Sequence, residues 1–374
     1  MQATLPLIHE AVMNYVASQK IANPSYSVVR ESISDLVTKI ARVYTIDGDF
    51  ADPLPELEGD DLNLARNLEE YFENLTMPED YDPTGAHTLD PKYLSHMPPS
   101  YSLPQGKKTF KVTRNFDQYQ AAFTSEEEFV NYISLLTKRL YDSYNVWKFF
   151  VKKRLLGDYA DKAADLMDAG NAVTFAAQTA YTVGTTFKDS SNNIFIAVKE
   201  IKNTDYGAGS DLDDAIEGGS VVQLLLLSAL AVPTDTSTGE AFVKNVKAVV
   251  EDSKYPSEGN SLNGNTVGVP QAGLVLYIKK GVMPSIEVDT LAGAFHEEKL
   301  ALPVEIKVID KFETSDADIY ALLVDPRGVK YHKDYLNVLE QINAEGDFVN
   351  YFLHVTPTLA ASRNTFLHVW KKPA

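Results

Sequence analysis

Groups that could bind a metal ion or transfer protons are few and widely spaced in this sequence. The seven histidines occur singly, and none has a second histidine two or four residues away. His296-Glu297-Glu298 begins as a zinc-protease helix does, but Leu300 occupies the position where the second histidine ligand would stand. Cysteine is absent, which excludes thiolate-bound zinc, iron–sulfur clusters and a thiol nucleophile. We therefore expect no metal centre of these kinds.

The densest group of carboxylates is Asp211, Asp213, Asp214 and Glu217. Such oxygens could bind Ca²⁺ or Mg²⁺, but their spacing lacks the glycine and the alternating acids of an EF-hand loop. Acidic residues are also favoured in the first turn of a helix, where they interact with the helix dipole. The pattern favours the start of a short helix and leaves a metal ion at 211–217 open.

Signatures of nucleophilic or nucleotide chemistry are missing. The sequence contains no G-x-S-x-G, no phosphate-binding P-loop and no G-x-G-x-x-G. Residues 207–210 (Gly-Ala-Gly-Ser) are typical of a turn before a helix, and His354 and His368 lie in predicted strands as structural histidines. We predict no catalytic residues, no cofactor and no enzymatic activity.

Charge restricts the partners of the chain. Thirty-four basic and 52 acidic side chains give a net charge of −18, which argues against a general nucleic-acid-binding protein, because phosphate binding needs a basic face. The most apolar run, residues 221–232, is much shorter than the roughly 20 residues that cross a bilayer. No secretory signal pattern is visible at the start. These features predict a protein made in the cytosol and without a membrane partner.

Residues 47–90, here called the acidic segment, carry most of that charge. They contain 14 Asp or Glu and a single basic residue, Arg66. Eight of the 18 prolines lie within residues 45–104, so this part of the chain cannot build a core. It is predicted to be a long arm that projects from the body, and the alternative is a disordered acidic linker. A short helix is predicted over residues 61–75. Its apolar stripe is Leu64, Leu68, Tyr71, Phe72 and Leu75.

A long helix is predicted over residues 125–156. Ser125 and Glu128 fit a capping box, and Gly157 is expected to end the helix. At 1.5 Å per residue the helix is about 48 Å long. One face of it is apolar at steps of three and four residues: Phe129, Ile133, Leu136, Leu140, Tyr144, Trp147 and Val151.

The remaining elements alternate between helix and strand. Residues 1–22 and 27–43 are predicted to be helical, residues 221–232 a buried strand or helix, and residues 253–271 a long loop. Further predicted helices cover residues 211–217, 240–250 and 289–295. Predicted strands cover residues 182–187, 194–201, 273–279, 304–310, 319–324, 347–357 and 365–371.

Two stretches together span about two fifths of the chain and resemble a known family: residues 114–159, and a longer one that runs from 273–312 through 321–332 to 350–370. They include Val288-Asp289-x-Leu291-Ala292-x-Ala294-Phe295, Val308-Ile309-Asp310-x-Phe312 and Leu323-Val324-Asp325. In order and spacing they are similar to the HK-ninety-seven-type major capsid proteins of tailed bacteriophages, and most similar to those of the phi-twenty-nine-type small podophages. These patterns reflect packing, and it is their shared order that carries the resemblance.

The resemblance implies an α+β fold with a long spine helix, an extended E-loop, and peripheral and axial domains. The implied boundaries are 1–25 for an N-terminal arm, 26–44 for the first part of the peripheral domain, and 45–114 for the E-loop. Residues 115–164 would be the peripheral domain with the spine helix, 165–335 the axial domain, and 336–374 the C-terminal strands of the peripheral domain.

The function implied by the resemblance is that of a structural protein of the virion. Copies of the chain would self-assemble, as hexamers and pentamers, into an icosahedral shell around double-stranded DNA without sequence-specific binding. Assembly would take place in the host cytoplasm with a scaffolding protein and a portal. Alternatives are the shell of an encapsulin-type nanocompartment, a two-domain enzyme with an acidic lid, and a tail or portal-ring component.

In such a shell the acidic segment could dock on a basic surface of a neighbouring copy, where rim charges would set register and partner choice. The alternative is two separately solvated charged faces. The candidate residues for contacts between subunits are Leu64, Tyr71, Phe72, Lys107, Lys108, Lys111, Lys152, Lys153 and Arg154.

Overall fold

The computed structural model describes most of the chain from residue 52 onward. The described residues are 52–62, 68–73, 96–101, 103–104, 106–115, 126–256, 258–267, 273–282, 302, 304–346 and 348–373. The helices predicted before residue 44, the helix at 289–295 and the cap at Ser125 lie outside these residues. The chain divides into two compact units. The first comprises residues 1–66, 104–152 and 331–358, and the second comprises residues 67–103, 153–330 and 359–374.

The first unit combines the first part of helix α1 (Glu126–Leu166), up to residue 152, with an antiparallel sheet. The strands of this sheet are β3 (Leu103–Pro104), β4 (Lys108–Asn115), β12 (Val329–Asn343) and β13 (Phe348–Ala361). Alternation along β4 places Phe110 opposite Leu353 of β13. The Phe110 ring lies 6.2 Å from Tyr144 and 5.8 Å from Trp147, both on α1. The apolar side of the sheet therefore packs against the helix.

Helix α1 (Glu126–Leu166) is longer than predicted, at about 60 Å. Leu140 and Tyr144 of the predicted apolar face are buried. The prediction that Gly157 ends the helix is wrong. A Cβ atom at this position would lie 2.5 Å from the carbonyl oxygen of Glu313. Glycine is required here because another backbone segment approaches the helix closely, and the helix continues through it.

A mixed five-stranded sheet forms the core of the second unit, with the order β10-β9-β11-β14-β8. Its strands are β8 (Leu227–Ala229), β9 (Val275–Lys279), β10 (Glu305–Ile309), β11 (Ile319–Val324) and β14 (Leu367–Lys371). Helix α3 (Thr236–Asp252) packs on it through Phe242, whose ring lies 5.6 Å from the fully buried Trp370 and 5.7 Å from Tyr320. The strands predicted at 273–279, 304–310, 319–324 and 365–371 and the helix at 240–250 are confirmed, with shifted ends.

A smaller antiparallel sheet in the second unit has the order β5-β6-β7, made by β5 (Thr186–Lys188), β6 (Ile194–Ala197) and β7 (Val221–Gln223). The strands predicted at 182–187 and 194–201 are thus confirmed, with shorter lengths, and they pair antiparallel. Residues 221–232 form two short strands, β7 and β8, rather than one element. Helix α2 (Leu212–Glu217) begins after Asp211, as the acidic pattern predicted.

The helix predicted over residues 61–75 is wrong where the structure describes it. Glu69–Glu73 form strand β1, which pairs antiparallel with β2 (His96–Tyr101). Backbone hydrogen bonds with a strand distant in sequence decide the structure of this segment, because local helix propensity is only a weak preference. Strand β12 was not predicted, since its second half alternates only between exposed and half-buried residues. No described helix has both the length and the apolar character to span a membrane.

Candidate interaction surfaces

Residues 52–62, here called the strap, pack against α1 and β12 within the first unit. The strap contains a single 3-10 turn (Pro55–Leu57), and Leu54 and Leu57 are buried. The backbone N–H of Gly59 donates to the carbonyl oxygen of Tyr331 at 2.8 Å. A Cβ atom on Gly59 would overlap the ring of His332, so glycine permits this close approach. The first part of the acidic segment is therefore packed inside its own chain.

Lys152 of α1 lies at the centre of the strap contacts. Its side chain is fully buried, and its Nζ donates to the Asp52 carboxylate, to the carbonyl oxygen of Leu54 at 2.8 Å and to Glu58 at 3.5 Å. Lys148, one turn earlier, donates to the two Glu58 carboxylate oxygens at 3.0 and 3.2 Å. The pairing matters because a buried charge without a partner is strongly unfavourable.

The lysines also set the ionisation of these carboxyl groups. Burial by itself raises the pKa of Asp52, but the hydrogen bond and charge of Lys152 outweigh it, and the pKa lies below its ordinary value. Burial likewise raises the pKa of Glu58, and the charges of Lys148 and Lys152 bring it below the ordinary value. Both groups are therefore held as carboxylates at neutral pH.

Lys153 is fully buried in the second unit. Its Nζ donates to the Asp310 carboxylate oxygens at 2.9 and 3.0 Å and lies 3.4 Å from Glu313. The sequence placed Lys152 and Lys153 on an exposed basic surface, and the structure instead buries both with partners in the same chain. Arg154 is exposed as expected and lies 3.8 Å from Asp158, one helical turn later.

The other predicted basic residues, Lys107, Lys108 and Lys111, are exposed. Lys111 pairs across the strands with Phe352, and its Nζ lies 5.6 Å from the centre of that ring. The Lys107 Nζ lies 5.1 Å from the ring centre of Tyr335, which is 40% exposed. A lysine above an aromatic face is held there by the negative face of the ring.

A histidine joins this group of lysines and aromatic rings. His354 pairs with Thr109, hydrogen bonds to its hydroxyl at 2.8 Å, and stacks on Phe352 with 6.0 Å between ring centres. Burial, and to a smaller extent the positive charge of Lys107, lowers the pKa of His354. We use the name outer face for the surface formed by Lys107, Thr109, Lys111, Tyr335, Phe352 and His354. It is a basic and aromatic surface within the first unit.

The apolar candidates of the arm are less completely described. Leu64 lies outside the described residues. Tyr71 and Phe72 lie on β1 in the second unit, where Phe72 is half-buried and the Tyr71 side chain is not among the described ones. Glu70, also on β1, accepts a hydrogen bond from Ser362 at 2.7 Å. The structure thus places Tyr71 and Phe72 on a strand and not on a helix face.

The remaining chemical candidates have structural contacts. His368 is 5% exposed, its Nδ1 lies 2.9 Å from the carbonyl oxygen of Leu225, and its Nε2 accepts from the Ser228 hydroxyl at 2.9 Å. Burial lowers the pKa of His368 to about 4. Asp211 and Asp214 form a reciprocal cap at the start of α2. Among the described residues, no three His, Asp or Glu side chains are grouped closely enough to hold a metal ion.

Comparison with known proteins adds independent information. The sequence matches the family described as Phi29-like phage major capsid protein over residues 7–208 and 212–370. It is 22% identical over 344 residues to the major capsid protein of Bacillus phage PZA, and the aligned region covers 90% of this chain and 62% of that protein. It is 21% identical over 338 residues to the one from Bacillus phage GA-1, with 88% and 58% covered. The chain thus spans about three fifths of the length of these relatives.

A solved structure is similar in fold. The capsid structure of Staphylococcus phage Andhra aligns with a TM-score of 0.52 at 12% identity, over 87% of this chain and 85% of that one. At this identity the likeness concerns the fold alone.

Proposed function

This chain belongs to the Phi29-like phage major capsid protein family, and from this we propose that many copies of it assemble into a closed icosahedral shell around double-stranded DNA. The predicted resemblance to tailed-bacteriophage capsid proteins is confirmed, and the α+β fold is of the HK-ninety-seven type. The observation that carries the proposal is the family match, which extends over nearly the whole chain. Because the family is one of structural capsid proteins, the role proposed for the chain is mechanical and not catalytic.

We also propose how the parts of the chain serve this role. Residues 45–114 would be the E-loop, and residues 165–335 the axial domain around the symmetry axes. Residues 26–44, 115–164 and 336–374 would form the peripheral domain, after an N-terminal arm at 1–25. Support comes from α1, whose 41 residues make it the longest described element, and from the long strands β12 and β13.

Contacts between copies would use the charge asymmetry of the chain. We propose that the acidic segment of one copy, with Leu64, Tyr71 and Phe72, docks near the outer face of a neighbour. The exposed Lys107 and Lys111 of that face would then meet its carboxylates, whereas Lys108, although exposed, alternates to the other side of β4. Charged contacts of this kind chiefly set the rate and register of association. Arg154 remains a second candidate, whereas Lys152 and Lys153 do not, because they are buried within the chain.

Other partners follow from the proposed role. Assembly in the host cytoplasm would involve a scaffolding protein and a portal. The DNA would be enclosed without sequence-specific binding. A net charge of −18 suits such a container, because an acidic protein repels phosphate and lets the genome move.

Electron microscopy of the concentrated protein, with a sizing column alongside, tests the proposal. Closed icosahedral shells support it, and the shell diameter bounds the number of copies. A monomer at every concentration, both alone and when coexpressed with the scaffolding protein of its phage, would refute it.

Charge reversal tests the docking surface. The double variant Lys107→Glu/Lys111→Glu is expected to slow shell formation strongly, and Glu79→Lys/Asp80→Lys added to the same chain is expected to restore it in part. Lys202→Glu/Lys254→Glu is the matched control, since both residues are exposed lysines of the second unit. Normal shells from Lys107→Glu/Lys111→Glu would remove the outer face from the proposal.

A further inference from the structure

We propose that Lys152 is a positioning residue that holds the strap on α1 within a single subunit, and so fixes the point from which the rest of the acidic segment, after residue 62, continues before any second copy binds. The local part of this inference concerns one chain. Only its consequence for assembly rests on the proposed function.

The strap has little regular structure of its own to hold it in place. Among its described residues there is a three-residue 3-10 turn and one isolated parallel bridge, between Glu58 and Tyr331. A segment of this kind depends on side-chain contacts with the body of the protein for its conformation. The apolar part of these contacts comes from Leu54 and Leu57, which are 2% and 0% exposed.

The polar part of these contacts converges on one ammonium group. An ammonium has three N–H donors, and the Lys152 Nζ has three acceptors that lie on both sides of the 3-10 turn. The Asp52 carboxylate and the Leu54 carbonyl precede the turn, and the Glu58 carboxylate follows it. A single buried group therefore links both sides of the 3-10 turn to α1.

Because it is buried, the Lys152 ammonium requires negatively charged partners in addition to the Leu54 carbonyl. Lys152 is fully buried, so separation of the strap would leave its charge without a partner unless water entered. The nearby Tyr144 and Tyr331 hydroxyls lie 3.4 Å from each other, and burial raises the pKa of both, which keeps them neutral. They cannot replace the charge of Asp52 and Glu58.

The strap also divides the acidic segment into two parts with different uses. Asp52 and Glu58 are paired with α1, and the Asp61 carboxylate lies 3.3 Å from Lys333 of β12. These acids are already paired within their own subunit. Because three of the five acids of the strap are paired in this way, contacts with a neighbour would fall chiefly to the acids after residue 62, whose starting point the strap determines.

Hydrogen exchange of the full chain, kept below its assembly concentration, tests the local claim. The reporters are the amides of Gly59 and Leu62, which donate to the carbonyl oxygens of Tyr331 at 2.8 Å and Lys333 at 3.0 Å. In Lys152→Met, which keeps the apolar stem without the ammonium, these amides are expected to exchange at least tenfold faster. The amides of β11 are expected to keep their rates, because that strand belongs to the second unit.

Arg154→Met is the matched control, since it removes an exposed cation from the same helix and should leave the strap unchanged. Unchanged exchange at Gly59 and Leu62 in Lys152→Met would overturn the proposal. Equal acceleration in β11 would also overturn it, because it would indicate a general loss of stability. If Lys152→Met does not fold, Asp52→Asn keeps the lysine and should accelerate the same two amides to a smaller extent; unchanged exchange there would likewise overturn the proposal.

Assembly gives a second readout. Lys152→Met is expected to give several-fold fewer closed shells than the wild type at equal concentration, and equal yields would refute the role in assembly. If the wild type forms no shells either alone or when coexpressed with the scaffolding protein, the proposed function fails, while the exchange result still decides the role of Lys152 in the subunit.

Discussion

Alanine in place of Gly157 should destabilise the second unit, although alanine is the better helix former. In a helix interior alanine is favoured over glycine by about 1 kcal/mol. However, the new Cβ atom would lie 2.5 Å from the carbonyl oxygen of Glu313 and 2.8 Å from its carbon. Ordinary contact begins near 3.4 Å, so the two segments would have to separate by about 0.9 Å.

That separation would strain two sets of contacts between α1 and the segment that follows β10. One is the pair between Lys153 and Asp310 at 2.9 Å, and the other is the hydrogen bond from the Ser315 amide to Asp161 at 2.7 Å. Forced packing of this kind costs about 1–3 kcal/mol, and each weakened hydrogen bond adds about 0.5–1.5 kcal/mol. After the helix preference is subtracted, we expect a net loss of about 1–5 kcal/mol.

Urea unfolding followed by tryptophan fluorescence measures this change. The chain has two tryptophans, so a Trp147→Phe background leaves Trp370 as the reporter of the second unit. Lys162→Ala is the control at an exposed position of α1, with an expected change within about 0.5 kcal/mol. If Gly157→Ala unfolds at the same or a higher urea concentration than its parent, the steric argument is refuted.

Further predictions concern buried and paired groups of the second unit. Trp370→Phe should cost about 2–4 kcal/mol in urea unfolding followed by far-UV circular dichroism, because it leaves a cavity and removes the hydrogen bond from Trp370 Nε1 to Asn245 at 2.7 Å. A loss below about 1 kcal/mol would contradict this. His368 should titrate near pH 4 when its ring protons are followed by NMR. Its contribution to stability is therefore present above the ordinary histidine pKa and declines as the pH falls toward 4. Titration near 6.5 would show that His368 is not buried as described. Burial tends to raise the pKa of Asp310, but the hydrogen bond from Lys153 brings it below its ordinary value. The contribution of Asp310 to stability is therefore present above the ordinary carboxylate pKa and is lost as the pH falls through the lowered pKa. An acid-unfolding midpoint that is the same in Asp310→Asn as in the wild type would argue against this.

Several features were predictable because they depend on local sequence. The apolar spacing along α1 indicated a long helix, since a helix buries residues three and four positions apart. Strands β9, β10, β11, β13 and β14 were predicted from short apolar or alternating runs, which are typical of strands. Strands β9, β11 and β14 are buried along almost their whole length. Asp211 indicated the start of α2 through its ability to accept hydrogen bonds from the first turn. The resemblance to a capsid family rested on the same packing patterns in a shared order.

Other features depended on partners distant in sequence. The segment 69–73 has a helical spacing of apolar residues, yet it pairs as a strand with residues 96–101. Gly157 is typical of a helix end, and its actual role is set by the backbone of Glu313. No local pattern reveals either partner, so no signal within those segments could have corrected the prediction.

The basic residues show most clearly what each level decides. The sequence by itself determined that six lysines and arginines lie on the helix predicted over residues 125–156 and that a segment of net charge −13 precedes it. Only the tertiary structure decided that Lys152 binds the strap, that Lys153 binds Asp310, and that Lys107 and Lys111 remain exposed. The physical reason is that a charge is fixed by residue type, whereas its burial and pairing depend on which distant segments the fold brings within about 4 Å.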